Sequence, residues 1–426
     1  MKKITITLVI LLMCCITACS TPTKVEEILT PVVEEERTSA VHPNPLLDTI
    51  AYEVTGTDRT DADAQLPEKD RDKRETLGLN EEGLKSLEAA QSGLYAYDML
   101  EETLHPLYVE ILTILQNREQ EVVVSSTSPS EIDKVFQCVL NDHPEIYYVK
   151  GYEYTKHSME QEVLRISLTG TYTMDTPQIE QMNAAIEAYA TTCLGGLPPN
   201  SDEYEKVRYI YEYLVSHTQY QLQAPENQNI CSVFVYGKSV CQGYAKAMQF
   251  LLNRCGVNTT LVLGYVDNGD GHAWNLVQID GAYYYVDVTW GDAYYEFNEG
   301  EVQAEVQNLP TINYDYLCVT TDQLCKTHRI DNVVPMPRCV SMDANYYVRE
   351  GAYFTEYADE QVVALFFKAY ESGIPYVTLK CASLEVYNQM EESLIANQKV
   401  FQYLQSGDGS IAYTGSEEQL TFSFWL

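Results

Sequence analysis

The chain has 426 residues, 45% of them apolar, which is enough for roughly two or three hydrophobic cores. It carries 27 basic against 62 acidic residues, a formal charge of −35. That balance excludes nucleic acid and bare anionic surfaces as partners, because phosphates would be repelled at ordinary salt, while solvation outside the cytoplasm or cationic peptide substrates remain compatible with it.

Lys2-Lys3 precedes an apolar run, Ile4 to Ile16, that suits a signal segment and is short for a spanning helix of roughly 20 residues. Ile16-Thr17-Ala18-Cys19 then resembles a bacterial lipobox, whose Cys is lipidated and becomes the mature N-terminus. The plainer alternative is an ordinary signal peptide cut near Ala18. Residues 1–19 are read as a lipoprotein signal peptide. The expected location is extracytoplasmic, at the cell surface, with the membrane engaged through lipid on Cys19; two acyl chains satisfy the requirement for stable anchoring. Residues 20–75 read as a disordered acidic tether. Val25-Glu-Glu, Val33-Glu-Glu-Glu36, Pro22, Pro31, Pro43 and Pro45, and the charged run Asp58 to Lys73 cannot build a core.

Residues 76–195 read as an N-terminal α/β region. Leu84 to Leu115 is mainly helical, broken or kinked at Pro106. Ser128-Pro129-Ser130-Glu131 is a capping box with Pro at N1, followed by the apolar stripe Ile132, Val135, Phe136 and Val139. Leu164, Ile166 and Leu168 alternate as a strand, and Thr176-Pro177 opens another helix. His143, before Pro144, reads as a turn residue.

Residues 196–300 form the candidate core. A helix from Ser201 carries Tyr204, Val207, Ile210, Tyr211 and Leu214. A polar loop leads to Cys241, where Tyr244, Met248, Leu251 and Cys255 recur at helical spacing and Gly256 follows as a C′ residue. A thiol in the first helical turn faces unpaired N–H groups and the positive end of the dipole, and both favour thiolate, the nucleophilic form. Strand Thr260 to Val266 follows, and the loop Asp267 to Gly271 delivers His272. Asp280-Gly281 is a strong hairpin signal. With a two-residue turn, Ile279 pairs with Ala282, Trp274 faces Asp287 and His272 faces Thr289. Asp287 then shares the face of His272 one diagonal step away, roughly 7–8 Å between backbones, within reach of the imidazole. The acid can orient the base, and the base can serve the thiol. A lone helical Cys is ordinarily core and a lone His ordinarily a satisfied polar residue; here three residue types stand in one order, each in the local structure its role demands.

Residues 301–426 read as an α+β region. Tyr346-Tyr-Val348 and Ala352-Tyr-Phe354 are expected to form a hairpin around Glu350-Gly351; Val362 to Tyr370 is a helix ending at Gly373; Tyr376 to Leu379 and Thr421 to Trp425 are strands. Of 12 Cys, Cys14, Cys15 and Cys19 belong to the signal and anchor. The rest are odd in number and scattered singly, as small core hydrophobes would be rather than a bridge framework. Cys318, Cys325, His328 and Cys339 have residue types that suit zinc but lack a Cys-x-x-Cys knuckle, so no metal and no cofactor is expected.

At Gly237-Lys-Ser-Val-Cys241-Gln-Gly-Tyr-Ala, Gly271-His272-Ala-Trp-Asn and Tyr285-Val-Asp287-Val-Thr-Trp290-Gly-Asp292 the chain resembles the transglutaminase-like superfamily. Asp142-His-Pro-Glu-Ile-Tyr-Tyr-Val149 and Asn345-Tyr-Tyr-Val348 look like flanks of bacterial surface members. The resemblance implies an α+β fold with a papain-like core, in which a Cys-bearing helix packs on an antiparallel sheet carrying His and Asp. It puts the catalytic triad on Cys241, His272 and Asp287. It further implies acyl transfer on peptide or protein amides through a thioester. The expected enzyme is a hydrolase acting as a cysteine protease or amidase on envelope peptides, as a monomer. A protein-cross-linking transglutaminase and a non-catalytic surface module that keeps the fold are the alternatives.

Overall fold

The computed structural model describes residues 52–61, 65–292, 312–405 and 411–426, together with the backbone of 23–24 and 295–296. The signal peptide 1–19 and most of the tether lie outside the described residues. Among the described residues, no helix is long and apolar enough to cross a membrane.

Three four-stranded sheets organise the described chain. The first runs in the order Glu53–Thr60, Val149–Met159, Glu162–Tyr172, Val122–Val124, with only its outermost pair parallel. Ile166 and Leu168 are fully buried, and the helix His105–Asn117 packs over their strand. Pro106 stands in the first turn of that helix, where its missing N–H costs nothing; it starts a helix and does not kink one. Ser128 caps the helix Pro129–Asp142, but Glu131 turns to the Ser126 hydroxyl and so does not complete the reciprocal box.

Order begins earlier than the composition suggests. Strand Glu53–Thr60 pairs along its whole length with Val149–Met159, yet every one of its side chains is exposed. Backbone hydrogen bonds hold it, so its apolar content carried no signal. Helix Glu68–Thr76 has no buried residue and is tied down by Arg74, which donates to Glu110 and to the Val123 carbonyl.

The second sheet positions the site. Its order is Ala282–Val286, Gly271–Ile279, Thr259–Val266, His328–Ile330, antiparallel throughout. Asp280 and Gly281 both take positive φ (50° and 78°), the two-residue turn that matches strand twist, and Ile279 pairs with Ala282 as the sequence predicts. The helix Cys241–Arg254 lies on this sheet, buried from Cys241 to Leu252, and Asn275 Nδ2 donates to its Ala245 carbonyl at 3.0 Å. Gly243 is required at the helix start, since a Cβ there would stand 2.0 Å from Ser239 Oγ. The helix Glu203–His217, capped by Asp202, packs against it.

One continuous apolar cluster runs from Leu79 to Ala352, so no core boundary falls at 195/196 or at 300. The strand His328–Ile330 and the buried Tyr316 and Leu317 belong to the central fold although they lie beyond residue 300. Two smaller clusters line the central sheet, and a separate larger core forms from Phe354 on, with Val362, Phe366, Leu379, Phe422 and Phe424. Its sheet runs Tyr353–Phe354, Tyr376–Cys381, Thr421–Trp425, Ala412–Ser416. The expected hairpin around Glu350-Gly351 is absent. Asn345 Oδ1 accepts from Tyr347 N and caps a short helix, Tyr346–Arg349, and Tyr353–Phe354 pairs in parallel with Tyr376–Cys381. Local capping outcompetes a tight turn there.

Candidate active site

Asp287 is the first residue past the hairpin ladder, which ends at Val286 opposite Asn275. Its backbone N–H donates to the Tyr316 carbonyl at 3.0 Å, which fixes the point where the chain leaves the sheet. The side chain is fully buried and accepts four hydrogen bonds. Oδ1 takes the backbone N–H of Thr289 (2.9 Å) and Trp290 (3.2 Å); Oδ2 takes His272 Nε2 (2.7 Å) and His328 Nε2 (3.1 Å). Burial alone would raise the carboxyl's pKa. The charge and hydrogen bond of His272, with the hydrogen bond of His328, outweigh it and hold the group well below the usual carboxylate range.

An ionised carboxylate only accepts, so both Nε2 atoms carry protons toward it. His272 is thereby held in the tautomer that leaves Nδ1 as the basic nitrogen. Its ring stacks on Trp274 (centroids 5.9 Å, 26°) and lies 5.9 Å from that of Trp290, and these fully or nearly fully buried indoles exclude water around it.

Cys241 opens its helix at N1, with Val240 as N-cap and no capping side chain. Its side chain belongs to one small buried cluster with Ala245, Leu261 and Ala273, the residue that follows His272 on its strand. Its neighbour Gln242 is buried with Nε2 lacking a hydrogen-bond partner, an expensive arrangement for a merely structural amide. The other buried thiols differ: burial pushes Cys138, Cys193, Cys231, Cys339 and Cys381 up to about 12, so they stay protonated core hydrophobes. None of the nine cysteines among the described residues is in a disulfide, and Cys325 is exposed.

Sequence reasoning missed His328. The zinc-like grouping with Cys318, Cys325 and Cys339 does not assemble; among the described residues, the metal-capable trio whose ligand atoms lie within 4.8 Å is His272, Asp287 and His328. That donor set is one a divalent metal could use, but here the two nitrogens stand at hydrogen-bonding distance from Asp287. Tyr284, on the strand before Asp287, is buried and donates to Ser341 Oγ. The Asp142–Val149 motif is structural: Asp142 caps the short helix at Tyr95 by accepting from Ala96 N and Tyr97 N, and His143 ends its own helix and bonds Glu145.

A Cys-bearing helix on an antiparallel sheet with a His–Asp pair defines the α+β transglutaminase-like core, and the profile of the transglutaminase-like superfamily matches residues 192–288. The chain carries a domain of that superfamily. Over 104 residues it is 29% identical to the kyphoscoliosis peptidase of Mus musculus and, equally, to that of Homo sapiens, covering 20% of this chain and 16% of each relative. The match thus spans about a sixth of those proteins. Among solved structures, a TGase is similar at 14% identity over 37% of this chain and 55% of that one, with a TM-score of 0.25. A candidate cysteine protease from Cytophaga hutchinsonii is similar at 16% identity over 31% and 55%, with a TM-score of 0.22.

Proposed function

We propose that this is an exported, lipid-anchored thiol enzyme, monomeric at the cell envelope, that cleaves peptide or protein amides through Cys241, His272 and Asp287. The observation that carries this reading is the buried His272–Asp287 pair at 2.7 Å, with His272 on the strand against which the Cys241 helix packs. In the reaction, His272 Nδ1 takes the thiol proton as Cys241 Sγ attacks the amide carbonyl carbon. The imidazolium returns that proton to the leaving amine, and a thioester remains. Water, deprotonated by the same nitrogen, releases the acid and regenerates the thiol. Asp287 stays ionised and supports the imidazolium. The Cys241 backbone N–H is one donor for the oxyanion, and the unpartnered Gln242 amide is a suitable second.

Export and the lipid anchor rest on Lys2-Lys3, the apolar run and Ala18-Cys19. The partition between water and amine as acceptor is measured by incubating the protein with a Gln-bearing peptide and a fluorescent amine. Cleavage or deamidation without amine incorporation supports the hydrolase. Incorporation makes the protein a cross-linker instead. Neither reaction, with Cys241 alkylated no faster than Cys255, leaves a binding module.

A further inference from the structure

His328 is the unabsorbed feature of this site. It sits on the edge strand His328–Ile330, its side chain has no exposed surface, and its Nε2 reaches the same Asp287 oxygen that orients His272. Burial lowers its pKa against the pull of Asp287, so the ring is neutral near pH 7. A neutral ring donating from Nε2 must accept at Nδ1, and Thr327 Oγ1 stands 2.8 Å away to donate. Thr327 Oγ1 in turn lies 3.2 Å from Tyr316 OH, which receives Gln419 Nε2–H at 3.0 Å. The donors therefore all run one way: Gln419 to Tyr316, Tyr316 to Thr327, Thr327 to His328, His328 to Asp287. Every member is buried, a setting in which such bonds reinforce one another. Gln419 belongs to the C-terminal sheet, in the turn before Thr421–Trp425, where its carbonyl accepts from Lys380 Nζ at 2.7 Å.

We propose that His328 is a positioning residue for the thiol chemistry, a neutral second imidazole that shares the charge of Asp287 and ties the His272–Asp287 pair to the C-terminal unit. It touches no substrate. It acts by taking part of the carboxylate's hydrogen-bonding capacity, so that less of the negative charge is available to the His272 imidazolium. This inference rests on the triad reading above. The other titratable groups facing these side chains are Asp267 from the turn before His272, Tyr211 from the helix Glu203–His217, and Tyr316. Burial keeps both phenols protonated across the working range.

The test needs no substrate. Iodoacetamide alkylation of Cys241 is followed by peptide-resolved mass spectrometry on the intact chain from pH 5 to 10, in wild type, H272A, H328L, H328Q and T327V. Alkylation is fast while thiolate and imidazolium coexist, and the alkaline limb marks loss of the imidazolium proton. H328L removes a donor from Asp287, concentrates its charge on His272, and moves that limb up by about one pH unit. H328Q keeps a donor of similar reach and restores the wild-type limb. T327V shifts it in the direction of H328L by less. A wild-type profile in H328L overturns the proposal, as does an equal shift in H328L and H328Q, which would reduce His328 to packing. One equivalent of metal bound to the purified wild-type chain and lost in H328Q overturns it too. If H328L does not fold, H328Q and T327V decide by the same limb. Failure of the triad reading looks different: wild type and H272A would then share one profile.

Discussion

The central and C-terminal sheets have the same number of strands and opposite economies. The C-terminal sheet buries mainly hydrocarbon: Phe354, Phe366, Leu379, Phe422 and Phe424 fill its core. The central sheet and its helix bury Asp287, two imidazoles, Gln242, Asn275 and Lys246. Buried polar groups cost stability unless every bond is made. A fold that concentrates them in one region, four donors on a single carboxylate, has placed its chemistry there and left stability to the other.

The comparison is sharpest at the triad. C241A and H272A should each lower amide or ester turnover by about 10⁴-fold or more, and circular dichroism should show both folded. D287N should lose about 10³–10⁴-fold, because an amide cannot hold the same tautomer. It should also flatten acid unfolding. The Asp287 carboxyl lies below its unfolded value, so its stabilisation is present above the ordinary carboxylate range and is lost as pH falls through the folded value.

Phe424→Ala should do the reverse. It empties a fully buried site in the C-terminal core, costs about 3–5 kcal/mol by urea denaturation, and leaves Cys241 alkylation close to wild type apart from a shift toward the H328L profile. Equal loss of chemistry and stability would break the contrast.

The smallest effect, and the one of opposite sign, is at Lys246. Burial lowers its ammonium to about 8 from 10.5. A depressed value means that the group's stabilisation is present above 10.5 and is lost as pH falls through 8, so at neutral pH the charged amine is a cost. Lys246→Met should therefore raise stability at pH 7 by about 1–3 kcal/mol and lose that advantage toward pH 10. A destabilised Lys246→Met would show an acceptor for that amine.

What the sequence made legible was local. Helical spacing after Cys241, Gly256 at its end, and Asp280-Gly281 together gave the Cys helix and the register that puts Asp287 within reach of His272. His328 was hidden because it lies 41 residues from Asp287 on a three-residue strand, whose place depends on pairing Val266 and not on any periodicity of its own. Strand Glu53–Thr60 was hidden by its wholly exposed side chains. The Glu350-Gly351 hairpin failed because a capped helix at Asn345 competes for the same residues.

The most direct measurement is acyl transfer onto the sulfur. p-Nitrophenyl acetate is added to the intact protein, the nitrophenolate burst is recorded, and the acetylated peptide is located by mass spectrometry. A working triad yields one acetyl per chain, on Cys241, formed far more slowly in H272A. Acetyl appearing on exposed Cys325 or on Cys255 as fast as on Cys241, with no dependence on His272, would contradict it.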